Sequence, residues 1–178
     1  DRADRHRLLA AQMRLADILA EVPGRGAIPL AQLLSRLLAT APTGPEQDPA
    51  ADNRAAILAL AIYVAGEAPP SSSGGSRPIP VRSVQLRGRA DLAKHYIASA
   101  VIATEGGSAL SDLIGFAKEL RDSDGGSGFS FADLAADRAG IRFAELATGA
   151  AEDALFVQGM ARAGLDEAAL MPAIEGLP

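Results

Sequence analysis

The 178-residue chain has no cysteine and no tryptophan, and its aromatic residues are five Phe and two Tyr. Without cysteine there is no disulfide, no thiolate zinc site and no cysteine nucleophile. The compartment stays open, because disulfide-free proteins occur in reducing and oxidising surroundings alike. So few aromatics argue against a β-sandwich or barrel, whose strands are built from aromatic and β-branched side chains. Long apolar runs are also missing. The longest mostly apolar stretch, Ala55 to Gly66, is about a dozen residues, well short of the roughly 20 needed to cross a bilayer. It reads as a buried core helix. The chain opens on Asp1 rather than Met, so the lack of a leader peptide in it carries no information.

What the chain has in excess is alanine, 38 residues of the 178. With 48% hydrophobic and 22% charged residues, the composition is that of a globular protein. The length suits one domain, or a domain with an arm. Ala and Leu are the strongest helix formers, and Ala lets helices approach closely. The predicted fold is all-α, a compact bundle of six to seven helices with a Pro/Gly/Ser-rich linker in the middle.

The net charge of −5 is unevenly spread. Residues 1–89 carry 11 basic and 8 acidic side chains, whereas residues 90–178 carry 6 basic and 14 acidic. An acidic chain argues against nucleic-acid binding. Arg77, Arg82, Arg87 and Arg89 follow one another with no acid between them. The sharper reading of these four is an anion or membrane-headgroup patch. The plainer reading, favoured because no aromatics are interleaved for base stacking, is a solvated linker that pairs with the acidic half.

Along the chain, helical spacing is read over residues 3–22, and Pro23-Gly24 ends that helix. Pro29 suits a first helical position, and Leu30, Leu33, Leu34, Leu37 and Leu38 form an apolar stripe after it. Asp52 or Asn53 is placed to cap a third helix that runs to about Ala65. Residues 1–66 form an N-terminal helical block, 67–88 a linker or surface loop, and 89–178 a C-terminal helical block, the whole read as one globular unit. Val81, Val84 and Leu86 suit a short extended piece, with nothing to predict a sheet. In the second block, residues 90–104 form a helix that is apolar nearly all round from Tyr96 to Ala103, which makes it the central one. A helix runs from Ser108 or Ser111 to about Asp122. Ser130 and Asp133 resemble a capping box for a helix that extends to about Thr148. A last helix covers about 151–163.

Several ionisable groups of this block stand where packing alone does not ask for them. Asp91 and His95 are spaced i, i+4 and share a face, with Ser99 one turn further on. Lys118, Glu119 and Asp122 lie on the next helix. Asp133 and Asp137 are again i, i+4, and their stripe continues through Gly140, Ala144 and Ala147, all small enough to let a neighbouring helix approach. Buried carboxylates are costly unless paired or bound to metal. Convergence of His95, Glu119, Asp133 and Asp137 would give ligands for one divalent metal (Zn²⁺, Mn²⁺, Fe²⁺ or Mg²⁺) or an acid–base pair. A Ser–His–Asp triad from Ser99, His95 and Asp91 fails, because all three share one helix face and no oxyanion donors are evident. The Gly-rich loop 124–128 is no P-loop, since no Gly-Lys-Ser/Thr follows it.

The series Asp91-Leu-Ala-Lys-His95, Gly115-Phe-Ala-Lys-Glu119-Leu-Arg-Asp122 and Gly126-Ser-Gly-Phe-Ser-Phe-Ala-Asp133-Leu-Ala-Ala-Asp137-Arg-Ala-Gly140 resembles the YfiM-type lipoproteins of bacteria. Their pattern is D-x-x-x-H, then G-x-x-K-E-x-x-D, then G-S-G-F-S-W-x-D-x-x-x-D-x-x-G. The likeness covers about 89–149, and Phe131 stands where the family has Trp. It implies a periplasmic or cell-envelope location, an envelope protein or the membrane surface as partner, and no assigned activity. It also gathers His95, Glu119, Asp122, Asp133 and Asp137 into one cluster.

The favoured functional reading is an envelope-associated helical protein whose His/Glu/Asp cluster joins three helices, structural or binding rather than catalytic. The alternative is a divalent-metal-dependent hydrolase acting on an envelope phosphoester or peptidoglycan fragment, with His95, Glu119 and Asp133 or Asp137 as ligands.

Overall fold

The computed structural model describes residues 1–70, 79–104 and 130–174. Within them the fold is an all-α bundle of seven helices, with one pair of two-residue strands. Helix α1 spans Arg2–Glu21 and opens on a capping box. The Asp1 carboxylate accepts from the Asp4 backbone N–H at 2.9 Å, and the Asp4 carboxylate accepts from the terminal amine at 3.2 Å. Two of the helix's orphan donors are thereby satisfied. Gly24, at φ +78°, turns the chain out of the helix, a conformation glycine adopts without steric cost.

Strand β1 (Ile28–Pro29) leads directly into α2 (Leu30–Ala39). Pro29 is extended, at φ −60° and ψ 132°, one residue outside the helix rather than its first residue. The reason is tertiary. β1 pairs in parallel with β2 (Val84–Gln85), which sets Pro29 opposite Gln85. The segment 81–86 is therefore extended as expected, but it finds a partner strand that periodicity does not predict. The leucine stripe of α2 is wholly buried, with Leu30, Leu33, Leu34, Leu37 and Leu38 all at 0% exposure.

Helix α3 (Pro49–Val64) begins earlier than expected. Its cap is Asp48, whose carboxylate accepts from the Ala51 N–H at 3.0 Å, and Pro49 occupies the first turn, where its missing N–H costs nothing. Asp52 and Asn53 lie inside the helix and are buried, so neither is the cap.

Helix α4 (Ala90–Thr104) buries Leu92, Ala93, Tyr96, Ile97, Ala98, Ala100 and Val101 completely. Helices α5 (Phe131–Thr148), α6 (Ala151–Ala163) and α7 (Glu167–Leu170) complete the bundle. One continuous core joins Leu15 and Ile18 of α1, the leucines of α2, Ile57 and Leu60 of α3, Tyr96 and Val101 of α4, and Ala136, Ala144 and Val157 beyond. At about 25 cal/mol per Å² of apolar area buried, this shared core, rather than any single helix's propensity, holds the two halves of the chain together.

Candidate functional site

Helices α4 and α5 share the most extensive helix contact among the described residues. The small-residue stripe of α5 makes it possible. A Cβ on Gly140 would lie 2.1 Å from the Tyr96 carbonyl oxygen, so α4 and α5 meet backbone to backbone at this point. Gly140, Ala144 and Ala147 are all buried there. One and two turns N-terminal to Gly140, the same stripe carries Asp137 and Asp133 toward α4.

The close approach sets two acidic side chains against two polar ones. The Ser99 hydroxyl donates to Asp137 Oδ1 at 2.6 Å, and His95 Nδ1 lies 3.2 Å from the same oxygen. His95 Nε2 is 3.9 Å from Asp133 Oδ1, beyond hydrogen-bond range but close enough for an ion pair when the ring is charged. Asp133 has a second task. Its Oδ2 accepts from the Ser130 N–H at 2.9 Å while the Ser130 hydroxyl accepts from the Asp133 N–H at 3.2 Å. The capping box read from the sequence is thus present, and Asp133 both starts α5 and faces His95.

Asp91 shares the α4 face with His95 but pairs with Arg89. Arg89 Nε donates to Asp91 Oδ1 at 3.1 Å, and Arg89 Nη2 contacts Asp91 Oδ2. The Arg89 hydrogen bond holds the Asp91 carboxyl below its ordinary range. Arg89 Nη2 also lies 3.8 Å from Asp133 Oδ1, which links the two acidic sites. Lys118, Glu119 and Asp122 lie outside the described residues, as does Arg77.

The geometry limits the chemistry. Ser99 is 4% exposed, and its proton goes to a carboxylate instead of an imidazole. Among the described residues it therefore lacks the Ser–His contact of a catalytic triad. Among the described residues no group of three or more His, Asp or Glu is arranged to hold a metal ion.

The remaining arginines of the basic run are dispersed. Arg82 reaches back to the end of α1 and donates to the carbonyls of Gly26 at 2.8 Å, Val22 at 3.2 Å and Pro23 at 3.4 Å. Helix ends leave such carbonyls without partners. Arg87 donates to the Met171 carbonyl at 2.7 Å, and its backbone N–H donates to Glu167 at 2.9 Å. Arg87 and Arg89 therefore pair with the acidic half of the chain, while Arg82 serves the first helix.

Two buried polar sites have no counterpart in the sequence reading. Asn53, fully buried, donates from Nδ2 to the carbonyls of Ala147 at 2.8 Å and Ala154 at 3.1 Å, and accepts from Gln158 at 2.9 Å. Its only signal in the sequence is a polar residue within an apolar helix. The second site joins α1 to α3. Asp52 is 7% exposed, and its Oδ1 lies 3.6 Å from Arg7 Nε. Burial pushes the Asp52 carboxyl above its ordinary range, against the pull of Arg7 and Arg14.

This shift gives a pH-dependent prediction. A carboxyl whose folded pKa exceeds the unfolded value of about 3.9 lends stability that is complete below that value and is lost as pH rises through the folded pKa. Asp52→Asn cannot ionise and escapes this loss. Thermal melts should show the variant above wild type at pH 7 and level with it at pH 3. An Asn variant that melts lower at pH 7 contradicts the assignment.

No protein-family model, no curated protein and no solved structure matches the chain.

Proposed function

We propose that the α4–α5 polar cluster is a structural lock in an envelope-associated helical protein. One observation carries the structural part of this reading: a single carboxylate oxygen of Asp137 gathers both the Ser99 hydroxyl and His95 Nδ1. That arrangement fixes the register of two helices. A hydrogen bond to a charged acceptor contributes about 1.5–3 kcal/mol, and a short hydroxyl–carboxylate contact lies at the strong end of that class. The envelope location rests on the resemblance of the motifs Asp91–His95, Gly115–Asp122 and Gly126–Gly140 to those of the YfiM-type lipoproteins.

The cluster's role is tested by Asp137→Ala, which removes the acceptor of the Ser99 hydroxyl and the Nδ1 contact of the His95 ring. It should cost about 2 kcal/mol in chemical denaturation. Asp137→Asn, which keeps an acceptor for Ser99, should cost less. If Asp137→Ala is neutral, the lock does not exist. Fractionation of cells that express the full-length protein tests the location: recovery with the envelope supports it, and recovery with the soluble cytoplasm overturns it.

A further inference from the structure

A cleft of about 210 Å³ opens between α1 and the start of α3, lined in part by Arg7, Ala10, Arg14, Pro42, Glu46 and Asp52. Two of its charged groups are incompletely satisfied. Among the described residues the Arg14 Nε–H is buried with no hydrogen-bond partner. The Asp52 carboxylate receives no hydrogen bond among the described residues, and its nearest cation, Arg7 Nε at 3.6 Å, belongs to a guanidinium whose Nη1 also lies 3.5 Å from Asp4. Burial pulls the Arg14 guanidinium below its ordinary range, and Asp52 acts on it through space. Unpaired buried donors and acceptors are costly, and such groups persist where they serve a bound partner. Arg14 makes no side-chain hydrogen bond among the described residues, so the outer nitrogens of its guanidinium and the Asp52 carboxylate line one small cleft with hydrogen-bonding capacity unused.

The charges select the class of occupant. A simple anion would meet three carboxylates, because Asp48 also lines the cleft beside Glu46 and Asp52. A simple cation would meet two guanidinium groups. A molecule that carries both signs satisfies both sets. The volume lies below the roughly 300 Å³ at which drug-sized pockets begin, which favours a small occupant. Ala10 and Pro42 supply a short apolar wall.

We propose that this cleft binds a small zwitterion of the free α-amino-acid class, with its carboxylate on Arg14 and its ammonium on Asp52 and Glu46. Isothermal titration of the full chain with the proteinogenic α-amino acids tests it, with acetate and methylammonium as single-charge controls. At least one amino acid should bind with a Kd at or below about 1 mM, and neither control should match it. Arg14→Gln and Asp52→Asn should each weaken binding at least tenfold, the order expected when one member of a buried charged contact is removed (~2 kcal/mol or more). Ala10→Leu, which narrows the cleft and leaves both charges in place, should weaken it as well. Asp52→Asn separates binding from folding, because it is expected to melt higher than wild type at pH 7 while losing the ligand. The proposal is overturned if no amino acid binds, if acetate or methylammonium binds equally well, or if Arg14→Gln and Asp52→Asn bind like wild type.

Discussion

Replacing Gly140 by alanine is expected to lower the melting temperature by about 4–8 °C, the equivalent of about 2 kcal/mol net in a chain of this size. The added Cβ would sit 2.1 Å from the Tyr96 carbonyl oxygen, 2.9 Å from its carbonyl carbon and 3.2 Å from its Cα. All three are backbone atoms of a fully packed helix, so no side-chain rotation relieves the clash, and α4 and α5 must separate. Overpacking a core typically costs about 1–3 kcal/mol, and a backbone contact belongs at the upper end. Helix propensity works the other way, since Gly→Ala in a helix interior gains about 1 kcal/mol. The sign of the change therefore reports the contact. Gly159 of α6 supplies the control, because nothing lies within 4 Å of a Cβ built there. Gly159→Ala should be neutral or slightly stabilising. Equal melting temperatures for the two variants would mean that α4 and α5 do not meet at Gly140.

Asn53→Ala is the second large effect, expected to cost about 3 kcal/mol or more, because several buried polar groups lose their partners at once. The Asn53 amide spans three elements. From α3 it donates to Ala147 in the last turn of α5 and to Ala154 in the first turn of α6, and it accepts from Gln158 one turn further along α6. Ala147 lies in the last turn of α5, where carbonyls lack intrahelical partners. Alanine leaves that carbonyl and the Gln158 amide nitrogen unsatisfied in a dry interior. Asn53→Asp keeps the shape but sets a carboxylate oxygen against carbonyl oxygens, and should be at least as damaging at pH 7. Urea denaturation monitored by circular dichroism measures both. A cost below about 0.5 kcal/mol for Asn53→Ala, the range of an ordinary surface substitution, would contradict the arrangement.

Features encoded locally were legible in the sequence. The leucine stripe of α2 declares its buried face through 3.6-residue periodicity. Ser130 and Asp133 announce the start of α5 because a capping box needs only three residues of spacing. The stripe Gly140, Ala144, Ala147 implied a close neighbour, and Asp133 and Asp137 at its N-terminal end implied that carboxylates face that neighbour. His95 and Ser99 meet them because two i, i+4 pairs on facing helices come into register. Features that depend on distant partners were not legible. The region before α3 offers Asp48, Asp52 and Asn53 as caps within a few residues, and Asn53 turns instead toward a carbonyl 94 residues away. The β1–β2 pair comprises two residues on each strand, too short to create an alternating pattern. Nothing in the sequence singles out Arg14, whose Nε is buried in the fold.

In the proposed lock Asp137 holds α4 to α5 through Ser99 and His95. Thermal melts of wild type and Asp137→Ala, each in EDTA and each with added Zn²⁺, Mn²⁺ or Mg²⁺, separate the lock from a metal site. Chelation should leave the wild-type midpoint unchanged, and Asp137→Ala should lower it equally in every condition. A wild-type midpoint that falls in EDTA and rises with one metal, with both responses abolished by Asp137→Ala, would contradict the structural lock and assign the cluster to metal binding.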